Sequence, residues 1–198
     1  MITPIIMESE MGEVVRKFER LEGVSRVHFD IGDGLFSDLL SISPADLQAL
    51  DLTDKQVDIH LLVDDPTEWI EESVALHPAR LIGQIEHMGS QVAFLNTVAG
   101  YEGGVGGLAL EVHTPIEELD KEALLLSGVV LLLAVPAGTS GSVFDQHVIK
   151  KITELRKIYT GSILVDGGVT PTTYKQVIAA GATEVGANSS WWRGDFEK

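Results

Sequence analysis

A chain of 198 residues, 44% of them hydrophobic, carries 14 Lys+Arg against 30 Asp+Glu, a formal charge of −16 at pH 7. That apolar content excludes a disordered chain, and the absence of cysteine excludes a disulfide scaffold, a thiolate metal site and a cysteine nucleophile. The negative balance argues against nucleic acid or an anionic membrane as partner, because no basic face is left to release counterions.

Short β-branched runs alternate with longer helical patterns along the chain. Residues 2–7 form the first run, followed by Glu13, Val14, Val15, Phe18 and Leu21 at helix spacing. Acidic residues within 1–10 stand where an export signal needs positive charge, so a cytoplasmic protein is expected. Residues 26–31 are the second run; Ser43 as N-cap with Pro44 at the first helical position then predicts a short helix. Residues 57–63 form a third strand, and Asp65-Pro66 opens a helix to about His77. Residues 80–85 form a fourth, followed by a helix over 91–98, and residues 107–112 a fifth, with Thr114-Pro115 capping the next helical segment. Residues 129–135 are almost wholly apolar, as a strand buried on both faces should be. The apolar stretch 123–135 is interrupted by Ser127 and Gly128 and is too short to span a bilayer. Val148, Ile149, Ile152, Leu155 and Ile158 give the strongest helical pattern. Residues 162–166 form a seventh strand, 172–180 a helix and 184–187 an eighth strand.

Eight β-then-α units without a break in composition predict one α/β domain over residues 1–198 with a parallel sheet, and the count favours a closed (β/α)8 barrel over an open doubly wound sheet. Only residues 189–198 follow the last strand. The C-terminal helix is therefore shortened, or a neighbouring subunit of a homo-oligomer covers that face.

In a parallel barrel the reacting groups sit at the C-terminal ends of the strands. The second strand ends His28-Phe29-Asp30-Ile31-Gly32-Asp33-Gly34, and alternation puts His28 and Asp30 on one side. The third carries Asp58-Ile59-His60-Leu61, with His60 and Asp58 on one face, and the seventh ends Val165-Asp166-Gly167-Gly168-Val169. Two imidazoles and two carboxylates aimed at one centre suit Zn²⁺, Mn²⁺, Fe²⁺ or Co²⁺. Taken singly, each has an ordinary reading as a rim histidine or a turn aspartate, but a packed core does not require their charge. Glu86-His87 is a weaker candidate, and His77, His113 and His147 read as surface residues.

These strand ends, with Gly107-Leu108-Ala109-Leu110, Thr114-Pro115-Ile116-Glu117-Glu118-Leu119 and Ala180-Gly181-Ala182, occur in the order found in ribulose-phosphate 3-epimerases, a family of TIM-barrel isomerases that the sequence resembles over most of its length. The resemblance implies that His28, Asp30, His60 and Asp166 bind one divalent metal, and that Asp30 and Asp166 serve as the acid/base pair. It implies C3 epimerisation of a ketose phosphate, D-ribulose 5-phosphate to D-xylulose 5-phosphate, through an enediolate and without an organic cofactor. One carboxylate removes a proton from one face of the carbon and the other returns one to the opposite face.

Several positions depart from the family pattern. Ile5 stands where a substrate-contacting serine follows proline, Glu8 where the next serine falls, and Gly32 where a methionine is usual. The His-x-Glu of the fourth strand reads Gln84-Ile85-Glu86. The glycine-rich loop after the sixth strand, residues 136–142, keeps Gly138 and Gly141 and adds Ser142; the Gly-Ser after the eighth reads Asn188-Ser189, and Gly167-Gly168 is intact. These seven residues form the expected phosphate end, where backbone N–H groups cradle an anion. Two other readings stay open: a related epimerase on a different sugar or sugar phosphate, and a catalytically silent barrel used for binding or assembly.

Overall fold

Eight parallel strands pair in chain order and close on themselves: β1 (Ile2–Ile6), β2 (Arg26–Gly32), β3 (Gln56–Leu62), β4 (Arg80–Gln84), β5 (Gly106–Leu110), β6 (Val129–Leu133), β7 (Ser162–Asp166) and β8 (Glu184–Ala187). This computed structural model describes residues 1–196; the expected C-terminal remainder thus falls partly, at residues 197–198, outside the described residues. The eight β-then-α units of the sequence are therefore a (β/α)8 barrel. Every residue of β6 is buried, because one face meets the lumen and the other the helices.

Alternation along β6 separates two cores. Val129, Leu131 and Leu133 join Leu62, Ile82, Ala109 and Leu164 inside the barrel, whereas Val130 and Leu132 join the larger cluster beneath the helices. From α5 (His147–Arg156) that outer cluster takes Val148, Ile152 and Leu155, the face expected from their spacing.

The helical layer is lighter than the sequence suggests. It comprises α1 (Met11–Glu19), α2 (Ile70–Val74), α3 (Gln91–Ala99), α4 (Lys121–Leu126), α5, α6 (Pro171–Ala180) and α7 (Ser189–Trp192). The helix expected after Pro44 is a single 3-10 turn, Asp46–Ala49. Ser43 Oγ accepts the Asp46 N–H at 3.3 Å, as the expected cap would, while its N–H and Oγ–H donate to Asp46 Oδ2 at 2.8 and 3.0 Å, and these reciprocal bonds close a local turn that does not extend into a longer helix. The segment after Asp65-Pro66 begins as a 3-10 turn and becomes α-helical only at Ile70, and Thr114-Pro115 likewise leads into a 3-10 turn. The helix after it starts at Asp120, whose Oδ1 accepts the Glu122 and Ala123 N–H groups. The short last helix is present as α7. Its Trp192 donates from Nε1 to Ile5 O at 2.8 Å and packs against the outer core. Among the described residues no helix is long and apolar enough to cross a membrane.

Candidate active site

Register and alternation decide which polar side chains enter the barrel. The β2–β3 ladder sets Asp30 opposite His60, and His28 lies two residues before Asp30 on the same inward face. His28 and His60 have no exposed surface. Asp30 Oδ1 meets His28 Nε2 at 3.1 Å and His60 Nδ1 at 2.9 Å. One donor atom from each of the three residues lies within 4.8 Å of the others.

The donor set fits a single divalent cation. Two imidazole nitrogens and a carboxylate are the borderline ligands that suit Zn²⁺, Fe²⁺, Mn²⁺ or Co²⁺. Both rings turn one nitrogen toward Asp30 and leave the other, His28 Nδ1 and His60 Nε2, buried without a hydrogen-bond partner among the described residues. Three polar side chains buried this way are costly unless a charge or hydrogen bonds compensate.

Asp166, the fourth expected ligand, lies outside that triad. It ends β7, and its Oδ1 accepts the Gly167 N–H at 2.6 Å. The two aspartates are pushed in opposite directions. Burial raises Asp30, but the hydrogen bonds of His28 and His60 prevail and hold it well below the usual carboxylate range. For Asp166, burial and then the charge of Asp30 act together, against His28 and the Gly167 N–H, and push it up to about 7. The histidines also diverge. Burial lowers His60 more than Asp30 raises it, whereas at His28 burial is outweighed by Asp30, Asp58 and Asp166.

Asp30 and Asp166 line one cleft together with Gly141, Gly167, Gly168, Asn188 and Ser189. An adjoining cleft of about 390 Å³ shares Gly141, Gly168 and Ser189 and adds Ser142, Thr170 and Arg193. Six of the seven residues expected at the phosphate end thus surround the mouth beside the carboxylates. Gly138 does not: it packs under the β2 loop, where a Cβ would meet Ser37 Oγ at 2.5 Å and Leu39 Cβ at 2.7 Å. Gly168 has a φ of 61°, and a Cβ there would come within 2.8 Å of Phe144 N and 2.9 Å of Ser142 O, so glycine lets the two loops close on each other.

Three further charged groups meet at the other side of the mouth. Glu86 Oε1 accepts the Glu111 N–H at 2.7 Å, Glu111 Oε1 accepts the Ala137 N–H at 2.9 Å, and Lys151 Nζ donates to Glu111 O. Glu86 was a weak candidate by sequence. No sequence signal singles out Lys151, although it adjoins Ile152 on a helix whose inner face is apolar and is itself buried. His87 is exposed and pairs with Asp64 at 2.6 Å; His77, His113 and His147 are exposed as well. Asp58, read with His60 as one face, lies nearer the N-terminal end of β3. There Arg80 binds it through Nε at 2.9 Å and Nη2 at 2.5 Å, and reaches Glu184 through Nη1 at 2.8 Å.

Comparison with known proteins gives this arrangement its context. A family model described as "Ribulose-phosphate 3 epimerase family" matches residues 1–191. The chain belongs to that family. Similar curated proteins include the cytoplasmic isoform of ribulose-phosphate 3-epimerase of Oryza sativa subsp. japonica, 30% identical over 195 residues, covering 96% of this chain and 86% of that one. The chloroplastic ribulose-5-phosphate-3-epimerase of Arabidopsis thaliana is 29% identical, covering 96% and 70%, and the ribulose-phosphate 3-epimerase of Synechocystis sp. is 29% identical, covering 92% and 81%. Solved structures share the fold at lower identity. Phosphoribosyl anthranilate isomerase from Thermus thermophilus aligns with a TM-score of 0.61 and 15% identity, covering 96% of this chain and 88% of that one. The N-acetylmannosamine-6-phosphate 2-epimerase from Clostridium perfringens aligns with a TM-score of 0.62 and 12% identity, covering 98% and 91%. Family membership and the buried triad together make this an isomerase-type enzyme, with a site for one divalent metal and an epimerase-type reaction on a sugar phosphate.

Proposed function

We propose that the chain epimerises a ketose phosphate at C3, interconverting D-ribulose 5-phosphate and D-xylulose 5-phosphate. The observation that carries this reading is the pair of buried carboxylates, Asp30 and Asp166, that line one cleft beside the metal triad. Inversion next to a ketone needs one group that takes a proton and another that returns one to the opposite face. Two carboxylates whose surroundings drive their pKa values apart are suited to those roles. They stand on β2 and β7, with β1 and β8 between them, and both line the cleft in which the substrate carbon is proposed to lie.

His28, Asp30 and His60 would hold the cation, with Asp166 as the fourth ligand of the proposed set. When bound, a divalent cation supplies electrostatic stabilisation of the negative charge that develops on the substrate oxygens. Asp30 and Asp166 are the proposed proton-transfer pair, one taking the C3 proton and the other returning one to the opposite face. The backbone N–H groups at Gly141, Ser142 and Gly168, with Gly167, Asn188 and Ser189 around them, are the proposed anchor for the phosphate. At −16 overall the protein has no general field to attract a phosphosugar, so attraction must be local.

The test is turnover of D-ribulose 5-phosphate in D₂O by metal-loaded protein. Xylulose 5-phosphate carrying deuterium at C3 is expected, with inorganic phosphate competing. Turnover without deuterium entry contradicts the two-carboxylate mechanism. Equal turnover of unphosphorylated ribulose, without competition by phosphate, moves the assignment to a related epimerase on another sugar.

A further inference from the structure

Buried polar atoms without a partner are uncommon in folded proteins, and each one calls for a cause. Among the described residues seven such side-chain atoms occur: Ser73 Oγ, Thr3 Oγ1, His28 Nδ1, His60 Nε2, both amide atoms of Gln84, and Glu86 Oε2. Six of the seven stand on β1 to β4 or just beyond β4, around the metal triad.

Register explains their company. The β1–β2 ladder sets Ile5 opposite His28, so Thr3 lies one pleat below on the neighbouring strand. A Cβ on Gly186 would meet Ile5 Cδ1 at 2.5 Å and Asp166 Oδ1 at 3.2 Å, which places Ile5, and with it Thr3, on the inward face. The β3–β4 ladder sets His60 opposite Ile82, a residue of the lumen cluster, so Gln84 stands one pleat above His60 on the same face. Asp30 thus meets one nitrogen of each imidazole, and an unpartnered polar side chain stands on the strand next to each, Thr3 on β1 beside β2 and Gln84 on β4 beside β3. Gln84 is fully buried, and Glu86 follows it at the same parity.

The loose atoms are chemically complementary. When His60 Nδ1 ligates a cation, Nε2 carries the proton and is a donor; Gln84 Oε1 is an acceptor, Gln84 Nε2 a donor and Glu86 Oε2 an acceptor, while Glu86 Oε1 is already held by the Glu111 N–H. Thr3 Oγ1 can accept from His28 Nδ1–H in the same way. A histidine that ligates a metal almost always donates its other N–H to a fixed acceptor, which sets tautomer and ring orientation.

We propose that Gln84, backed by Glu86, and Thr3 are positioning residues for the metal centre: Gln84 accepts from His60 Nε2–H and Thr3 from His28 Nδ1–H, so that His60 Nδ1 and His28 Nε2 keep free lone pairs beside Asp30. The inference rests on the metal-site reading of the triad and goes beyond it to residues that make no contact with substrate.

The experiment measures Zn²⁺ and Mn²⁺ affinity of the full chain by chelator competition, and the ¹⁵N imidazole signals of the Zn²⁺-loaded protein. The wild type should show His60 protonated at Nε2 and His28 at Nδ1. Gln84→Leu, close in size but unable to accept, should weaken binding about 10–100-fold and shift the His60 signals alone. Gln84→His, which retains an acceptor nitrogen, should recover most of that loss. Thr3→Val should shift only His28, and it carries the test should Gln84→Leu not fold. Affinity within about twofold of wild type in Gln84→Leu, or unmoved ring signals in both variants, overturns the inference and leaves the metal centre standing. A wild type that binds neither ion overturns both.

Discussion

Asp30 and Asp166 are the same side chain in two environments. The difference lies in their neighbours: two imidazoles bond Asp30, whereas one backbone N–H bonds Asp166, which also faces the charge of Asp30. Asp166→Asn should therefore lower epimerisation by at least about 10²-fold, the usual range for losing a general acid/base. Cation affinity measured in parallel decides its second role. As the one proposed ligand outside the His28, Asp30 and His60 cluster, Asp166 should cost less in binding than in turnover when replaced. Turnover within a few-fold of wild type would remove Asp166 from the proton transfer. A loss of cation binding as large as the loss of rate would make it chiefly a ligand. His28, Asp30 and His60 were legible in sequence because strand alternation fixes which side of β2 and β3 a residue faces. Asp166 was legible as a residue of the mouth, but alternation does not say which donor its carboxylate accepts from.

At the scale of elements, strands were easier to read than helices, and the reason is physical. A strand of the inner sheet is buried on both faces and reads as a nearly continuous apolar run, as 129–135 did for β6. The connections are short and need only a partial apolar face, so local side-chain bonds decide their form. Ser43 with Asp46, and Asp120 with Glu122 and Ala123, decide where turns become helix in ways that spacing does not show. Lys151 belongs to the same scale, since it ties α5 to the end of β5 by donating to Glu111 O. Burial lowers its ammonium to about 8, although Glu86 and Glu111 oppose the fall. Between that value and the unfolded one near 10.5 the unfolded chain holds more protons, so stability rises as pH climbs through this window. Below about 8 both states are protonated and the cost of burying the charge is constant. Lys151→Met lacks this contribution. Urea midpoints measured from pH 7.5 to 10.5 should therefore separate progressively in favour of the wild type as pH rises. Parallel curves would show that Lys151 titrates as an exposed lysine does.

For the whole molecule, the main constraint is closing eight strands into one barrel. The helical layer is thin between β2 and β3, where one 3-10 turn stands in place of a helix, and again after β8, where α7 has four residues. There the half-buried Trp192 holds β1 through Ile5 O, with Lys17 and Arg20 5.0 and 5.2 Å from its ring. Closure also depends on the floor of the barrel, opposite the reactive mouth. Arg80 on β4 bonds Asp58 on β3 and Glu184 on β8, with Arg26 on β2 reaching Asp58 at 2.7 Å, so one ion cluster joins strands across the lumen. Burial opposes charge on both Arg80 and Glu184, yet Asp58 and then Glu184 raise the guanidinium, and Arg80 lowers the Glu184 carboxyl. In a chain of −16 this buried cation holds two acids that would otherwise repel each other. Arg80→Met should destabilise by about 3–5 kcal/mol in urea unfolding, because it leaves Glu184 without its partner and Asp58 with Arg26 alone. Adding Glu184→Leu should recover part of the loss, since removing both ends of a buried pair costs less than removing one. If Arg80→Met unfolds at the wild-type midpoint, the cluster is solvated and contributes nothing to closure. If the double variant is no better than the single one, the loss arises from packing around the guanidinium stem rather than from stranded charge.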